Sequence, residues 1–291
     1  MALRILITGA TGFVGSNLLP ALLDVGHQVV ALVRRDVKLP FGVSTVKGDV
    51  LDVDSIRKAA KGCQAVVHLV GIIRECPSKG VTFRRLHVEA TGNVIQACKD
   101  EGVSLVLHMS ALGARPDSAA EYHRTKFAAE ELVRNSGLDH VIFRPSLILG
   151  PGSQFLRDMK RLMSFGILGL IGGGGYRLQP VVIQDVVQAF VQAIKRKDLR
   201  GATWDLCGTK VYTLRELLEA MARAWGKRVV FFPLPSGPLK LLARFLDRFP
   251  WFPITREQLA MLEEGSVCGD NRFYSVAGLA PRDVEGVLKS V

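Results

Sequence analysis

Short apolar runs alternate with amphipathic helical patterns over the first half of the chain. The six apolar runs are RILIT, QVVALVR, STVKGDV, AVVHLVG, SLVLHMS and DHVIFRP. Apolar residues repeat with a helical period over residues 13–25, 53–61, 83–102 and 122–135. Short strands separated by helices predict an α/β fold, with a doubly wound parallel sheet that helices cover on both faces.

The pattern changes after residue 150. The stretch GILGLIGGGGYRLQP is rich in glycine and predicts loops, whereas QDVVQAFVQAIKRK and TLRELLEAMARAW have the period of amphipathic helices. We therefore expect a sheet domain over residues 1–150 and a smaller mixed α/β region over 151–291, packed intimately on the first. The four consecutive glycines lack the Lys-Ser or Lys-Thr of a P-loop, so they indicate a hinge or a turn.

Composition and charge limit the class of partner. A hydrophobic fraction of 48% is enough for a buried core and excludes a disordered chain. Lys and Arg outnumber Asp and Glu by 38 to 27, which gives a net charge of +11. That excess favours anionic partners such as nucleotide phosphates or an anionic membrane surface. No nucleic-acid-binding motif is present, so we expect no nucleic-acid partner.

Cysteine usage and the N-terminal residues bear on the compartment. The five cysteines are scattered, without a CxxC pair, at Cys63, Cys76, Cys98, Cys207 and Cys268. This pattern favours a reduced, cytoplasmic protein with neither a disulfide framework nor a zinc site. Glycines interrupt the first apolar residues within ten positions, which indicates a strand and not a signal peptide. No run of about 18 apolar residues occurs, so the sequence predicts no membrane-spanning helix.

Three glycines separate the first strand from the first helix, in the motif TGATGFVG. A strand, a tight turn and a helix N-terminus bring free backbone N–H groups and the positive end of the helix dipole together, and phosphate binds there. Gly9 would permit the turn, Gly12 the close approach of a diphosphate, and Gly15 the packing of helix on strand. The motif predicts a dinucleotide site, with GxxGxxG spacing where GxGxxG is usual.

Charged residues after the second and third strands bear on which dinucleotide binds. Arg34 and Arg35 follow the second strand, and Asp36 comes only after them. A guanidinium pair suits a 2′-phosphate and favours NADP(H), whereas Asp36 could serve the free ribose hydroxyls of NAD(H). Asp49, after the third strand, is a candidate acceptor for the adenine amine or a cap for the following helix.

A tyrosine and a lysine lie one helical turn apart in EYHRTKFAAEE. Tyr122 and Lys126 are four residues apart, so their side chains share one face of the helix. An ammonium beside a phenol lowers the phenol's pKa from about 10, which makes Tyr122 a candidate acid–base residue. Ser110 ends the fifth apolar run, where its hydroxyl could bind the same substrate oxygen.

These motifs, with HLVGIIRE and FRPSLILGPG, resemble the extended and atypical short-chain dehydrogenase/reductase superfamily, whose epimerase/dehydratase-like members have a Rossmann fold. The resemblance covers about the whole chain and is strongest before residue 152. It implies that Tyr122 is the catalytic acid–base, that Lys126 holds the nicotinamide ribose, and that Ser110 orients the substrate. The residues that it and the motifs assign to cofactor binding are Gly9, Thr11, Gly12, Phe13, Val14, Gly15, Arg34, Arg35, Asp49, Val50, Val70, Gly71, Lys126 and Pro145.

The later part of the sequence is similar to the branch that contains the NADPH-binding accessory subunit of respiratory complex I. We expect an NADP(H)-dependent oxidoreductase acting on an alcohol or carbonyl of a hydrophobic substrate, with the pocket supplied by residues 151–291. One alternative is a non-catalytic NADPH-binding assembly or accessory protein of a respiratory or quinone-linked complex. The other is a nucleotide-sugar epimerase or dehydratase.

One further segment indicates a surface contact. PLKLLARFLDRF places Lys240, Arg244 and Arg248 at four-residue intervals beside apolar residues, which is typical of a helix at a membrane interface or against a protein partner. Residues 238–253 are therefore a candidate contact at the inner face of a membrane or in a protein complex. The alternative is a helix of the substrate region with a solvated basic face. The histidines lack metal-ligand spacing, and no metal is expected.

Overall fold

The computed structural model describes residues 2–247 and 254–290, so residues 248–253 of the candidate contact segment lie outside it. The described chain forms two compact units. The first unit consists of Met1–Arg144 and Val186–Trp204, and the second of Pro145–Asp185 and Asp205–Val291. No described helix is long and apolar enough to cross a membrane.

The elements follow one another along the chain as strands and helices. The strands are β1 (Arg4–Thr8), β2 (Gln28–Val33), β3 (Val43–Lys47), β4 (Ala65–His68), β5 (Leu105–Met109), β6 (Asp139–Pro145), β7 (Ile148–Leu149), β8 (Ile167–Ile171), β9 (Arg177–Leu178), β10 (Val181–Val182), β11 (Ala202–Leu206), β12 (Tyr212–Thr213) and β13 (Val230–Leu234). The α-helices are α1 (Phe13–Asp24), α2 (Val53–Ala60), α3 (Ala90–Asp100), α4 (Glu121–Arg134), α5 (Gln154–Met163), α6 (Ile183–Lys195), α7 (Leu214–Ala224), α8 (Ser236–Leu246), α9 (Arg256–Glu264), α10 (Phe273–Ala277) and α11 (Val284–Leu288).

A seven-stranded sheet dominates the first unit, in the order β11-β6-β5-β4-β1-β2-β3. Strands β1 to β6 are parallel to one another, and all six predicted strands are present. The chain winds outward from β1 to β3 and then returns to place β4 on the other side of β1. That reversal opens a crevice at the carboxyl ends of β1 and β4, where α/β sheets of this kind bind ligands. The doubly wound α/β fold is confirmed.

The sheet is buried because its strands are apolar on both sides. Ile5, Leu6 and Ile7 of β1 are fully buried, as expected for a central strand covered on both faces. Helices α2 and α3 pack over one face. The core beneath them consists of Leu6, Val30, Leu32, Val66, Val106 and the inward residues Ile56, Ala59, Ala60, Val94, Ala97 and Cys98.

The predicted helix over residues 83–102 is divided into two parts. Residues Arg84–Glu89 form a π-helical segment, and α3 continues from Ala90. A π-helical turn widens the helix by one residue per turn, and such turns are frequent at functional sites. Here the segment carries the buried side chain of His87.

Three strand pairs form the sheets of the second unit: parallel β10–β7, antiparallel β12–β9 and parallel β13–β8. The prediction of loops over GILGLIGGGGYRLQP was wrong for Ile167–Ile171, which form β8 by pairing with β13. Pairing with a strand more than fifty residues away leaves no local signal in the sequence. Three of the four glycines that follow, Gly172–Gly174, form a short 3₁₀ turn.

The cysteines correct another expectation. Cys207 and Cys268 of the second unit form a disulfide, with Cα atoms 6.2 Å apart, so the prediction of a chain without disulfides was wrong. The two cysteines are 61 residues apart in sequence, and scattered spacing cannot reveal a pair that only folding brings together. Asn271 supports the bridge, since its side chain donates to and accepts from the backbone of Cys207, both at 3.2 Å. Cys63, Cys76 and Cys98 are free thiols.

Candidate functional site

The glycine turn joins β1 to α1. Gly9 has φ +79°, a conformation that favours glycine, and α1 begins after Gly12 without a side-chain cap. A Cβ on Gly15 would lie 2.4 Å from the carbonyl oxygen of Gly9, so only glycine lets the helix pack so closely on the turn. The N-terminal amides of α1 are therefore left for an external acceptor, which is what a phosphate site requires.

Backbone from β4 lies against this turn. A Cβ on Gly9 would come within 3.2 Å of the backbone nitrogen of Val70, and one on Gly71 within 3.0 Å of Lys126 Nζ. Gly9, Val70, Gly71 and Lys126 are thus brought to one place at the carboxyl edge of the sheet. The missing side chain of Gly71 leaves the space that the lysine ammonium occupies.

Lys126 is buried, with 2% of its surface exposed, and its Nζ donates to the backbone carbonyl of Met109 at 2.9 Å. Burial lowers the pKa of Lys126 to about 8, and the nearby Glu130 carboxylate opposes that shift. The ammonium is thereby held at the end of β5, directly before Ser110.

Tyr122 shares the face of α4 with Lys126 and lies in an aromatic setting. Its ring meets those of Phe83, His87 and His123 edge-on, with centroids 5.4–5.9 Å apart. Burial raises the pKa of the Tyr122 phenol to about 12, so the expectation of a lowered pKa was wrong for the free protein. Burial destabilises the phenolate more than Lys126 stabilises it, because the Lys126 ammonium donates its hydrogen bond to the carbonyl of Met109.

Ser110 supplies an unsatisfied hydroxyl to the site. Its backbone N–H donates to the carbonyl of Phe143 at 2.7 Å, which fixes the end of β5 against β6. Its Oγ is buried and has no hydrogen-bond partner among the described residues. A buried hydroxyl without a partner costs free energy, and a substrate or cofactor oxygen would satisfy it.

The face of α4 that carries Tyr122 and Lys126 also carries a buried carboxylate. Glu130, one turn further, is fully buried and accepts from Arg144 Nε at 2.7 Å, Arg144 Nη2 at 2.6 Å and Arg134 Nη2 at 2.5 Å. Two guanidiniums thus hold one carboxylate beneath the lysine. Sequence reasoning missed this group, although the four-residue spacing of Tyr122, Lys126, Glu130 and Arg134 was visible in the sequence.

Three buried histidines surround the lysine and were also missed. His68 and His108 are register partners at the ends of β4 and β5, with ring centroids 5.5 Å apart, and His68 Nδ1 lies 2.6 Å from Thr8 Oγ1. His87 Nε2 accepts from the Ile72 N–H at 3.2 Å. The signal available was a histidine near the end of two successive strand patterns, AVVHLVG and SLVLHMS.

Burial and the charge of Lys126 keep these imidazoles neutral. They lower the pKa of His68 to about 3 and that of His87 to about 2, and they lower the pKa of His108 well below its ordinary value. Because the three imidazoles are neutral, none of them adds a second positive charge next to the buried Lys126 ammonium. Within residues 2–247 and 254–290, no group of His, Cys, Asp and Glu side chains could hold a metal ion.

The predicted adenosine-side residues follow β2 and β3. Arg34, Arg35 and Asp36 are exposed directly after β2. Asp49 accepts from the backbone N–H of Leu51 at 3.0 Å, and the cap of α2 is Asp52, so the alternative of Asp49 as the helix cap was wrong.

The segment after β3 is held by a residue that the sequence analysis did not assign. Asn93 Nδ2 donates to the carbonyl of Val50 at 3.1 Å, 43 residues away in sequence. The side chain of Val14 is buried, that of Phe13 is half-buried, that of Thr11 is exposed, and Pro145 ends β6.

These residues fit a nicotinamide dinucleotide. The uncapped α1, the space kept by the glycines and the unpartnered Ser110 hydroxyl are each a place where a ligand would complete the structure. Residues 9–155 match the protein family described as NAD(P)H-binding. The chain belongs to this NAD(P)H-binding family. Its cofactor is therefore a nicotinamide dinucleotide, as expected.

Relatives of this NAD(P)H-binding protein include both a complex subunit and a reductase. It is 31% identical to the Arabidopsis thaliana protein named NADH dehydrogenase (ubiquinone) 1 alpha subcomplex subunit 9, mitochondrial, over 96% of this chain and 73% of that protein. It is 27% identical to a ceramide reductase of Caulobacter vibrioides, over 86% of this chain and 78% of that one. The expected similarity to the complex I accessory branch is confirmed.

A solved structure of a different protein has the same fold as this NAD(P)H-binding protein. A nucleoside-diphosphate-sugar epimerase from Staphylococcus aureus superposes with a TM-score of 0.80, covering 98% of this chain and 99% of that chain. The two sequences are 22% identical, so the likeness concerns the fold alone. The expected Rossmann fold is confirmed.

Proposed function

We propose that this protein is an NADP(H)-dependent oxidoreductase acting on the alcohol or carbonyl group of a hydrophobic substrate. The observation that carries the proposal is the buried Ser110 hydroxyl, which has no hydrogen-bond partner among the described residues. Ser110 follows Met109, whose carbonyl accepts from Lys126, and Tyr122 lies on the same face of α4 as Lys126. A purely structural cofactor site would not need an unsatisfied hydroxyl at this position. The relationship to a protein named ceramide reductase supports a hydrophobic substrate.

Each residue has a role that its position supports. The bound nicotinamide would supply or accept the hydride. Tyr122 would exchange the proton of the substrate oxygen, and Ser110 would donate a hydrogen bond to that same oxygen. Lys126 would bind the nicotinamide ribose and, once its ammonium faces the phenol, favour the phenolate.

The preference for NADP(H) over NAD(H) rests on Arg34 and Arg35. Both guanidiniums are exposed directly after β2, where the adenosine ribose of a dinucleotide lies in this fold class. A guanidinium binds a 2′-phosphate through charge-assisted hydrogen bonds, and two of them select for the extra charge.

Replacement of Tyr122 by Phe tests the catalytic assignment. The variant keeps the ring and its packing but removes the hydroxyl, so turnover with a panel of hydrophobic ketones should fall by about 10²–10⁴-fold. NADPH affinity, measured by fluorescence titration, should stay unchanged. Equal turnover in the variant and the parent would refute the role of Tyr122.

Replacement of both Arg34 and Arg35 by Ala tests the cofactor preference. NADPH binding should weaken at least about tenfold, because charge-assisted hydrogen bonds are lost, while NADH binding should change little. Lys61→Ala with Lys99→Ala removes two exposed charges from the same unit and serves as the control. Equal losses for the two nucleotides would exclude a 2′-phosphate site.

A non-catalytic assembly protein is the second candidate. The similarity to a protein named as a subunit of NADH dehydrogenase favours it, since such a subunit works inside a protein complex. In that case the purified protein would retain NADPH without turning over any member of a carbonyl and quinone panel. It would also be recovered with other subunits of a respiratory complex.

A further inference from the structure

Exposed apolar side chains are concentrated in two segments of the second unit. Among the described residues, 13 large apolar side chains are exposed, and seven of them lie within 165–167 and 230–245. The seven are Phe165, Ile167, Val230, Phe232, Leu241, Leu242 and Phe245. The first four, on or next to the paired strands β8 and β13, are called the apolar face below. Single exposed apolar residues are ordinary, whereas a concentration of this kind marks an interaction surface.

Strand pairing brings the first part of the apolar face together. Val230 pairs with Ile167 in the parallel register of β13 and β8, and its N–H donates to the carbonyl of Gly166 at 2.8 Å. The next pair, Phe231 and Leu168, packs into the core of the unit. Because side chains alternate across a strand, Val230 and Ile167 lie on the outer side.

The ring of Phe232 extends the same surface. Phe232 pairs with Gly169, and its Cζ lies 3.2 Å from the position that a Cβ of Gly169 would take. The ring therefore lies over Gly169 of β8, which has no side chain that could cover it. Helix α8 begins two residues after β13 and exposes Leu241, Leu242 and Phe245 at the spacing of one helix side.

Charge is unevenly distributed around the apolar face. Residues 154–171 and 223–247 contain eight Lys or Arg and two Asp, whereas the rest of the second unit contains eight Lys or Arg and ten Asp or Glu. Arg161 and Arg228 are exposed just before Phe165 and Val230, respectively. In sequence, the apolar face is therefore flanked mainly by cations, although Lys240 of α8 is paired with Glu263 of α9 at 2.7 Å.

We infer that the apolar face binds the surface of a membrane containing anionic lipids. Apolar side chains flanked by Lys and Arg bind such surfaces by burying the apolar part among the acyl chains and placing the cations at the lipid phosphates. A second copy of this chain would instead bring two positive surfaces together. Membrane binding goes beyond the proposed oxidoreductase function and does not require the cofactor.

Vesicle flotation of the full chain tests this inference. The protein should float with vesicles of phosphatidylcholine and phosphatidylglycerol, and much less with phosphatidylcholine alone. Phe165→Ser with Phe232→Ser should weaken binding to the anionic vesicles at least about tenfold, because two aromatic side chains no longer enter the bilayer. The matched control is Phe41→Ser, which alters a fully exposed phenylalanine of the first unit.

Other results would overturn the inference. Binding to anionic vesicles that is absent, or equal in the double Phe variant and the parent, excludes the apolar face as a membrane contact. If light scattering instead shows a dimer that the same variant dissociates, the face joins two copies of the chain. NADPH titration and thermal unfolding of each variant show whether it is folded, and Arg161→Glu with Arg228→Glu should remove the preference for anionic vesicles.

Discussion

The two units place their unusual side chains in opposite environments. The first unit buries ionisable groups at the edge of its sheet, namely Lys126, Glu130 and the imidazoles of His68 and His108. The second unit exposes aromatic and aliphatic side chains among cations and closes its fold with a disulfide. Burial shifts the pKa values of ionisable groups, as acid–base catalysis requires. Exposed apolar side chains lower their contact with water when they bind a partner surface. The difference is that between the proposed reaction site and the proposed contact surface.

Buried charge in the first unit should produce the largest single effect on stability. Glu130→Gln leaves Arg134 and Arg144 without their shared carboxylate, and we expect the free energy of unfolding to fall by about 3–5 kcal/mol in urea denaturation. The neighbouring Glu131 also pairs with Arg134 but is 47% exposed. Glu131→Gln is therefore the control and should cost less than about 1 kcal/mol. Equal losses of unfolding free energy in the two variants would show that the buried Glu130 stabilises the protein no more than the exposed Glu131 does.

The disulfide should matter somewhat less, and only for the second unit. Cys207→Ser with Cys268→Ser should lower the free energy of unfolding by about 2–4 kcal/mol, because the unfolded chain loses the constraint of a long loop. Reductant should destabilise the parent by a similar amount and leave the double variant unchanged. Cys76→Ser, at a free and partly buried thiol, is the control. If thiol titration finds all five cysteines reduced, the contribution of the bridge is excluded.

Acid should reveal the buried histidines of the first unit. Below pH 6.5 the histidines of the unfolded chain take up protons, whereas His68 stays neutral in the folded protein until about pH 3. The unfolded state then binds more protons, so stability falls as the pH falls, by about 2 kcal/mol at pH 5 from His68 alone.

Replacement of the histidine isolates this effect. His68→Gln should lose less stability between pH 7 and pH 5 than the parent, because the proton uptake by the unfolded chain at this position is gone. His140→Gln, at a partly exposed histidine, is the control. Parallel curves for the His68 variant and the parent would show that His68 titrates normally in the folded protein.

The sequence was most informative where structure is local. The strands β1 to β6, the glycine turn and the face shared by Tyr122 and Lys126 depend on residues within one or two helical turns of each other. Their spacing alone predicted the sheet and where its functional edge would lie. The catalytic and cofactor-contacting roles of the individual residues stay predictions, supported by their positions at the carboxyl ends of the strands.

The sequence was silent where distant segments meet. Three features join residues that are far apart in sequence. They are the pairing of β8 with β13, the disulfide between Cys207 and Cys268, and the contacts of His68 with Thr8 and His108. The pKa of Tyr122 was misjudged for the same reason. A cation lies one helical turn away in sequence, but in space the Tyr122 ring is packed against the rings of Phe83 and His87 from another segment of the chain, and burial raises the pKa of its phenol.

By itself, then, the sequence determined the α/β class and the dinucleotide-binding turn, because backbone conformation and side-chain periodicity are properties of neighbouring residues. Only the tertiary structure decided which ionisable groups are buried, which cysteines are joined and which apolar side chains are left outside. Burial depends on the elements that pack against a residue, and those elements come from the whole chain.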